Sequence, residues 1–369
     1  MVVLHVGRIG SNKMDGVNVC VPALVAAQNG LDGVVSALLV SAGSGPTEDE
    51  LEFPIFHYDR STGVAGLPHP FCKPDIAILH DTYIIPHRRI ARQLQALGVP
   101  YILVPHGGLT RWAQGIKPIK KRAANLLFFN AVVKGARAVQ CLTENEKTES
   151  LMTWQCPMFV IGNGTDIPPS DQVARPGTRE TIRFTFIGRL DPNHKGLDLL
   201  IDACSLIHST LLGARAEIKL YGPDYRGGKQ TITQHIARAG VGDVVELCGP
   251  VLGDAKVEVL RNADVFIHTS RSEGHPLAVL EALAQGVPCL LTPGTNISAD
   301  VANAGAGWEA QSSAESIAER LGHIVRNRAD MMAAGQKARE FAITNCSWAQ
   351  IAVRTVEVYG ELLAQSPDK

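Results

Sequence analysis

One local pattern recurs from end to end of this chain: short apolar runs of strand length alternate with stretches of helical periodicity. The runs are Val2 to Val6, Val34 to Val40, Ile76 to Leu79, Tyr101 to Val104, Ala138 to Leu142 and Phe159 to Ile161, with helical patterns such as Asn18 to Gln28 and His87 to Leu97 between them. Parallel strands need long crossovers, usually helices, so this alternation predicts helix-covered parallel sheet. A turn-rich segment, Asn163 to Ser170 and on to Pro176-Gly177, interrupts it. The pattern then restarts with Phe184 to Ile187, Glu217 to Tyr221, Val244 to Cys248, Asp264 to Thr269 and Cys289 to Leu291. The expected architecture is α/β, with two doubly wound, Rossmann-like domains facing one another across a cleft. The expected division is 1–168, 169–346 and a final helix within 347–369, capped by Ser347, that returns to the first domain.

At 369 residues the chain exceeds one comfortable core. Its 45% hydrophobic and 19% charged residues exclude disorder, and a formal net charge of −1 gives no reason to expect nucleic acid. Eight cysteines occur without CxxC or zinc-type spacing, which suggests reduced thiols and a cytoplasmic protein. The first residues read as a buried strand and not as a signal peptide, and no run reaches the roughly 18 apolar residues of a membrane span. Any membrane contact is therefore expected to be peripheral.

The most chemically informative stretch is Ser270 to Thr292, where Glu273 and Glu281 are separated by seven residues around the start of one helix. Pro276 is expected as the first helical residue and Gly286 as the stop. A loop and helix N-terminus after a parallel strand face the ligand crevice of such sheets. Glu273 in the loop and Glu281 about one and a half turns into the helix could grip different parts of one extended ligand. The Phe186-Ile187-Gly188-Arg189 run, with Lys195-Gly196 after it, follows the first strand of the second half. A fixed guanidinium and a mobile ammonium at a strand end suit a diphosphate.

These two loops, together with Pro105-His106-Gly107-Gly108-Leu109, Leu142-Thr143-Glu144-Asn145-Glu146 and Ile161 to Asp166, resemble in order the motifs of family 4 retaining glycosyltransferases, which have the GT-B fold. The resemblance implies that Arg189 and Lys195 hold the donor diphosphate, that Glu273 contacts hydroxyls of the transferred sugar, and that Glu281 holds the ribose. It implies that backbone N–H groups of Gly274, His275, Leu277 and Ala278, flanking Pro276, support phosphates and sugar, and that His106 faces the sugar from the other domain. Gly188, Gly222 and Val251 resemble elements lining the nucleotide pocket. The family's first glycine loop is usually Gly-Gly, whereas here it is Asp15-Gly16; Gly16 is assigned to the donor site, where an Asp15 aimed at phosphate would repel it. No organic cofactor and no metal are expected, since the nearest thing to a metal-holding DxD motif is Glu48-Asp49-Glu50 in a polar loop. Arg189, Lys195 and the helix N-terminus would then supply the positive field.

The implied reaction is metal-independent hexosyl transfer, with retention, from a UDP- or GDP-sugar to a glycan or lipid-linked acceptor, as in enzymes assembling bacterial surface polysaccharides. His80, Asp81, Thr82 and Tyr83 follow a strand and are candidate acceptor contacts, with Asp81 the candidate base. Arg111, a further candidate acceptor contact, opens a stretch to Arg137 that holds seven cations and no acid beside Leu126-Leu127-Phe128-Phe129. That stretch reads either as a dock for anionic lipid or a lipid diphosphate, at the inner face of the cell membrane, or as a core helix with a solvated lysine face. Alternatives for the whole chain are a nucleotide-sugar epimerase of the same fold and a non-catalytic nucleotide-sugar-binding protein. Gly7-Arg8-Ile9-Gly10 is not a dinucleotide fingerprint, and Gly222 to Gln230 only approaches a P-loop.

Overall fold

The structure, a computed structural model, describes residues 1–12, 14–46 and 51–365. Glu48-Asp49-Glu50 lie outside the described residues. The chain forms two units, Met1–Gly164 with the segment from Trp348 onward, and Thr165–Ser347. The break falls just ahead of the expected Pro168, because Thr165 already bridges to Ser347.

The first unit is built on β1 (Val2–Arg8), β2 (Val35–Ala42), β3 (Ile55–His57), β4 (Ile76–His80), β5 (Tyr101–Val104), β6 (Ala138–Cys141) and β7 (Met158–Val160). These pair in parallel in the order β3-β2-β1-β4-β5-β6-β7. Successive strand residues serve opposite faces, as the pleat demands. Leu4, Leu79 and Leu103 pack with Ile90, Leu94 and Val133 of two helices on one side. Val3, Ile78, Ile102 and Val104 pack on the other side with Tyr359 of the terminal helix Trp348–Ala364. That helix also lies against the helix Gly16–Asn29. It therefore completes the first unit.

The second unit holds β8 (Ile182–Ile187), β9 (Ala216–Tyr221), β10 (Val245–Gly249), β11 (Val265–His268), β12 (Cys289–Leu291) and β13 (Gly307–Glu309), parallel in the order β10-β9-β8-β11-β12-β13. Phe184, Phe186, Ile218 and Ile267 pack against the helices Leu197–Leu206 and Ala314–Arg326. Phe266, Cys289 and Leu291 face the helix Leu277–Ala284 and the helix Asp330–Asn345 on the other side. Chain reversals around β8 and β1 put the strand order's switch points at those central strands.

Two strands escape the sequence pattern, β3 and β13; each is three residues long at a sheet edge, too short to show alternation. The near P-loop has a physical explanation: the Asp224 carboxylate accepts the N–H groups of Gly227 at 3.3 Å and Lys229 at 2.7 Å. The amides a phosphate would need are already spoken for, and by a negative charge.

Candidate functional site

Backbone crowding shapes the carboxyl end of the second sheet. A side chain at Gly222 would lie 1.7 Å from the Gly188 carbonyl oxygen, and one at Gly196 would lie 2.0 Å from that of Thr269. Only glycine permits those contacts, so the loops after β8, β9 and β11 converge. Thr269 Oγ1 then donates to the carbonyls of Lys195 and Gly196 at 3.2 and 3.0 Å. Arg271 makes a bidentate pair with Asp198, both contacts at 2.7 Å, and also donates to the Asn193 carbonyl. These bonds lock the lysine loop to the glutamate loop.

Inside that frame Lys195 Nζ donates to Glu273 Oε1 at 2.5 Å, with the two side chains only 10% and 12% exposed. Ser270 Oγ donates to the same oxygen at 2.7 Å, and His268 Nε2 lies 3.3 Å from it. The His268 ring, 1% exposed, stacks against Phe186 and Phe266. Burial pushes the Glu273 carboxyl upward, but the Lys195 ammonium and the His268 hydrogen bond outweigh it and hold the group well below the usual carboxylate range. Asn296 donates from its amide to the Glu273 carbonyl and so fixes the loop backbone. Arg189, exposed, places its guanidinium 4.8 Å from the centre of the Tyr225 ring.

The helix Leu277–Ala284 starts one residue later than expected: Pro276 is its N-cap, in extended conformation, and no side chain caps it. Its first turn therefore has no side-chain cap on its N–H groups, an arrangement that favours anions. Burial lowers His275 to about 4, so its ring is neutral. Glu281, farther along, pairs with Lys256 of the helix Gly253–Arg261. Gly222 N–H donates to the Gly249 carbonyl at 2.8 Å, bringing the Gly249-Pro250-Val251 turn to the same sheet end. Sequence reasoning missed Lys256, His268 and Tyr225, whose partners come from packing and not from spacing.

In the first unit, His106 follows β5 with φ +49°, half-buried. Glu146 holds the adjoining loop, accepting from Gly107 N–H at 2.6 Å and Leu142 N–H at 2.7 Å. Burial nevertheless raises the Glu146 carboxyl to about 7. His80 was expected to contact an acceptor, and the structure corrects that: it is 2% exposed, with Nδ1 3.1 Å from His106 Nε2. Its ring lies beneath His106 and not on the surface. Asp81 sits at φ +75° and accepts from Thr82 N–H at 2.7 Å, and burial raises its carboxyl. Tyr83 donates to Gln114 at 2.8 Å or Asn125 at 3.0 Å. Arg111 begins a short helix and is exposed, its own N–H taken by Glu149.

Asp15 is the N-cap of the helix Gly16–Asn29, accepting from Val17 N–H. Gly16 is the first helical residue. The basic stretch is mixed: Ile119, Leu126 and Leu127 are 81%, 83% and 68% exposed, whereas Phe129, Val132 and Val133 are buried in the core of the first unit. Lys121 turns inward, onto the Ala113 carbonyl and the Tyr83 ring. Among the described residues, no cluster of three or more His, Cys, Asp or Glu could hold a metal ion.

The Lys195–Glu273 pair carries a pH signature. A carboxyl whose folded pKa is depressed contributes stability at neutral pH and loses it only as pH falls from the unfolded value of about 4.3 through the folded one. Lys195→Met removes the stabilising charge and leaves burial dominant, at a cost of about 3–5 kcal/mol at neutral pH. With burial dominant, Glu273 of the variant takes up its proton at a pH above the unfolded value, so unfolding free energies measured from pH 7 down to 3 are expected to show the variant's deficit shrinking as pH falls, while the wild type loses the pair's contribution only below about 4.3. Superimposable acid-unfolding curves would contradict the pairing.

Residues 172–341 match the family model "Glycosyl transferases group 1". Over 31% of this chain and 28% of its own length, mannosylfructose-phosphate synthase of Agrobacterium fabrum is 31% identical. The putative colanic acid biosynthesis glycosyltransferase WcaL of Salmonella typhimurium is 30% identical over 36% of this chain and 33% of its own length. The chain thus spans about a third or less of these relatives. The crystal structure of Anabaena Alr3699/HepE in complex with UDP superposes with a TM-score of 0.77 at 18% identity, covering 98% of this chain and all of that one. Residues 172–341, nearly the whole of the second unit, thus match a glycosyl transferases group 1 domain, and the chain has the GT-B fold.

Proposed function

We propose that this chain moves a hexosyl group from a nucleoside diphosphate sugar, UDP before GDP, to a hydroxyl of a glycan or lipid-linked acceptor, with retention and without a metal. The observation that carries the proposal is the buried Lys195–Glu273 pair beside an uncapped helix N-terminus at the carboxyl end of a parallel sheet. An ammonium has three N–H donors, and Glu273 takes one. Lys195 can therefore serve a phosphate oxygen as well, while Arg189 offers a planar fork oriented by Tyr225. Glu273 receives the sugar hydroxyls and Glu281 the ribose, Gly222 and Val251 line the base, and Gly16 approaches the diphosphate. His106 contacts the transferred sugar. In the reaction the anomeric carbon–phosphate oxygen bond breaks, the acceptor oxygen bonds to that carbon, and the acceptor's proton passes to the departing phosphate. The positive field of Arg189, Lys195 and the Leu277 and Ala278 amides stabilises the charge that builds on that phosphate. The UDP-bound neighbour supports the preference for uridine, and the colanic acid relative supports surface polysaccharide assembly.

Location at an anionic membrane is part of the same reading. Exposed Ile119, Leu126 and Leu127, with exposed Lys117, Lys120 and Arg122 around them, suit an acyl boundary rimmed by acidic headgroups. Among the described residues no helix is long and apolar enough to cross a membrane, so this contact would lie along the surface. A lipid-linked acceptor would be met there.

Donor turnover with a panel of UDP- and GDP-sugars tests the chemistry. Arg189→Ala is expected to slow it by about 10²–10³ while the variant stays folded; near-native turnover would refute the role. For the membrane, flotation with vesicles rich in phosphatidylglycerol is expected to carry the wild type and not the Leu126→Glu/Leu127→Glu variant. Wild-type protein left at the bottom of the gradient at low salt would remove the membrane from the reading.

A further inference from the structure

A continuous file of polar side chains crosses the core of the first unit, from the terminal helix to His106. Its first bond has only one possible direction: Thr355 Oγ1 donates to the Ala352 carbonyl at 2.9 Å, since a carbonyl cannot donate. The Thr355 oxygen, its proton spent, accepts from Gln28 Nε2 at 3.0 Å. That contact fixes the Gln28 amide, whose oxygen receives Ser36 Oγ at 2.9 Å and His5 Nε2 at 2.8 Å. His5 must therefore carry its proton on Nε2, which leaves Nδ1 as an acceptor for His80 Nε2 at 2.8 Å. The same logic passes up one ring: His80 Nδ1 accepts from His106 Nε2 at 3.1 Å. Gln28, Ser36, Thr355 and His5 are fully buried and His80 nearly so, so water cannot reset the direction.

Each ring must be neutral for the direction to propagate. Burial lowers His5 to about 4 and His106 to about 4; burial and then the neighbouring imidazoles of His5, His106 and His87 hold His80 well below the usual histidine range. His87 itself is lowered to about 3 by burial and turns to Ser41 at 3.3 Å. The file therefore contains no charge at neutral pH. Rings of His5 and His80 are nearly parallel, 14° apart with centroids at 5.1 Å, and His106 continues the stack 5.3 Å from His80.

We infer that His5, His80, Gln28 and Thr355 are positioning residues: their one-way hydrogen-bond file holds His106 as the Nε2–H tautomer and leaves its Nδ1 as an acceptor for a hydroxyl of the transferred sugar. The functional half of this inference rests on the proposed contact between His106 and that sugar. The tautomer half does not. A hydroxyl donating to a fixed neutral acceptor is selected over a sugar lacking that hydroxyl, because the acceptor would then stay unpaired.

Long-range ¹H–¹⁵N correlation on the histidine-labelled full chain reads the tautomer directly, with His106→Gln used for assignment. The wild type is expected to show a protonated Nε2 and a bare Nδ1 at His106. His80→Phe keeps a ring but neither accepts nor donates, and should let the Nδ1–H form appear and lower kcat/KM about two- to tenfold with UDP affinity unchanged. His80→Gln, which supplies one acceptor and one donor, should restore both. A wild-type His106 protonated on Nδ1 overturns the inference, and that measurement stands even if His80→Phe fails to fold or if no sugar donor is turned over. A tautomer change with no change in rate would overturn the claim that the sugar reads it.

Discussion

The second unit is organised around one buried ion pair. Lys195 and Glu273 come from loops that follow β8 and β11, strands that are neighbours in the sheet. Removing either partner would leave an unpaired charge under low-dielectric cover, which is far more costly than losing a surface bridge. Much of the surrounding structure serves that contact. Glycines at 196 and 222 let backbones approach, Arg271 and Asp198 tie the loops, and His268 and Ser270 complete the oxygen that Lys195 touches. The result is a carboxylate kept ionised and a cation kept in place before any ligand arrives, which is what preorganised electrostatic stabilisation requires.

The first unit applies the opposite strategy. Its strand-end group, His106, stands on a column of neutral rings and amides. A neutral imidazole with a fixed tautomer offers shape and hydrogen-bond direction, whereas the Lys195–Glu273 pair of the second unit offers fixed charge. The terminal helix belongs to this unit for more than packing: Thr355 and the Ala352 carbonyl anchor the column, and Tyr359 is fully buried against β1, β4 and β5. A segment read from sequence only as returning to the first domain thus contributes the polar anchor of a file that ends at His106.

Much of the architecture was legible because it depends on local pattern. Strands with four or more buried residues, such as Ile76–His80 and Ile182–Ile187, announce themselves as apolar runs, and the Trp348–Ala364 helix has a clear period. Edge strands Ile55–His57 and Gly307–Glu309 do not, being short and partly exposed. Spacing singled out Arg189, Lys195, Glu273 and Glu281; it could not single out Tyr225, Lys256 or His268, which tertiary folding brings beside Arg189, Glu281 and Glu273. Asp15 shows how one residue admits two readings: as a charge near a ligand it looked harmful, whereas its N-cap geometry gives it a local task. His80 shows the limit of strand-end reasoning, because following a strand does not decide whether a ring points to solvent or to the core. Likewise the apolar residues near Leu126 could be core as far as the sequence goes, and only their exposure takes Leu126 and Leu127 out of it while Phe129 stays in.

The proposed chemistry assigns the entire task of charge neutralisation to side chains and amides of the second unit. The most direct test is transfer from a UDP- or GDP-sugar by the full chain in excess EDTA, with and without added Mg²⁺ or Mn²⁺. Rates unchanged by chelation and by either metal are predicted; activity that disappears with EDTA and returns with a divalent ion would contradict it.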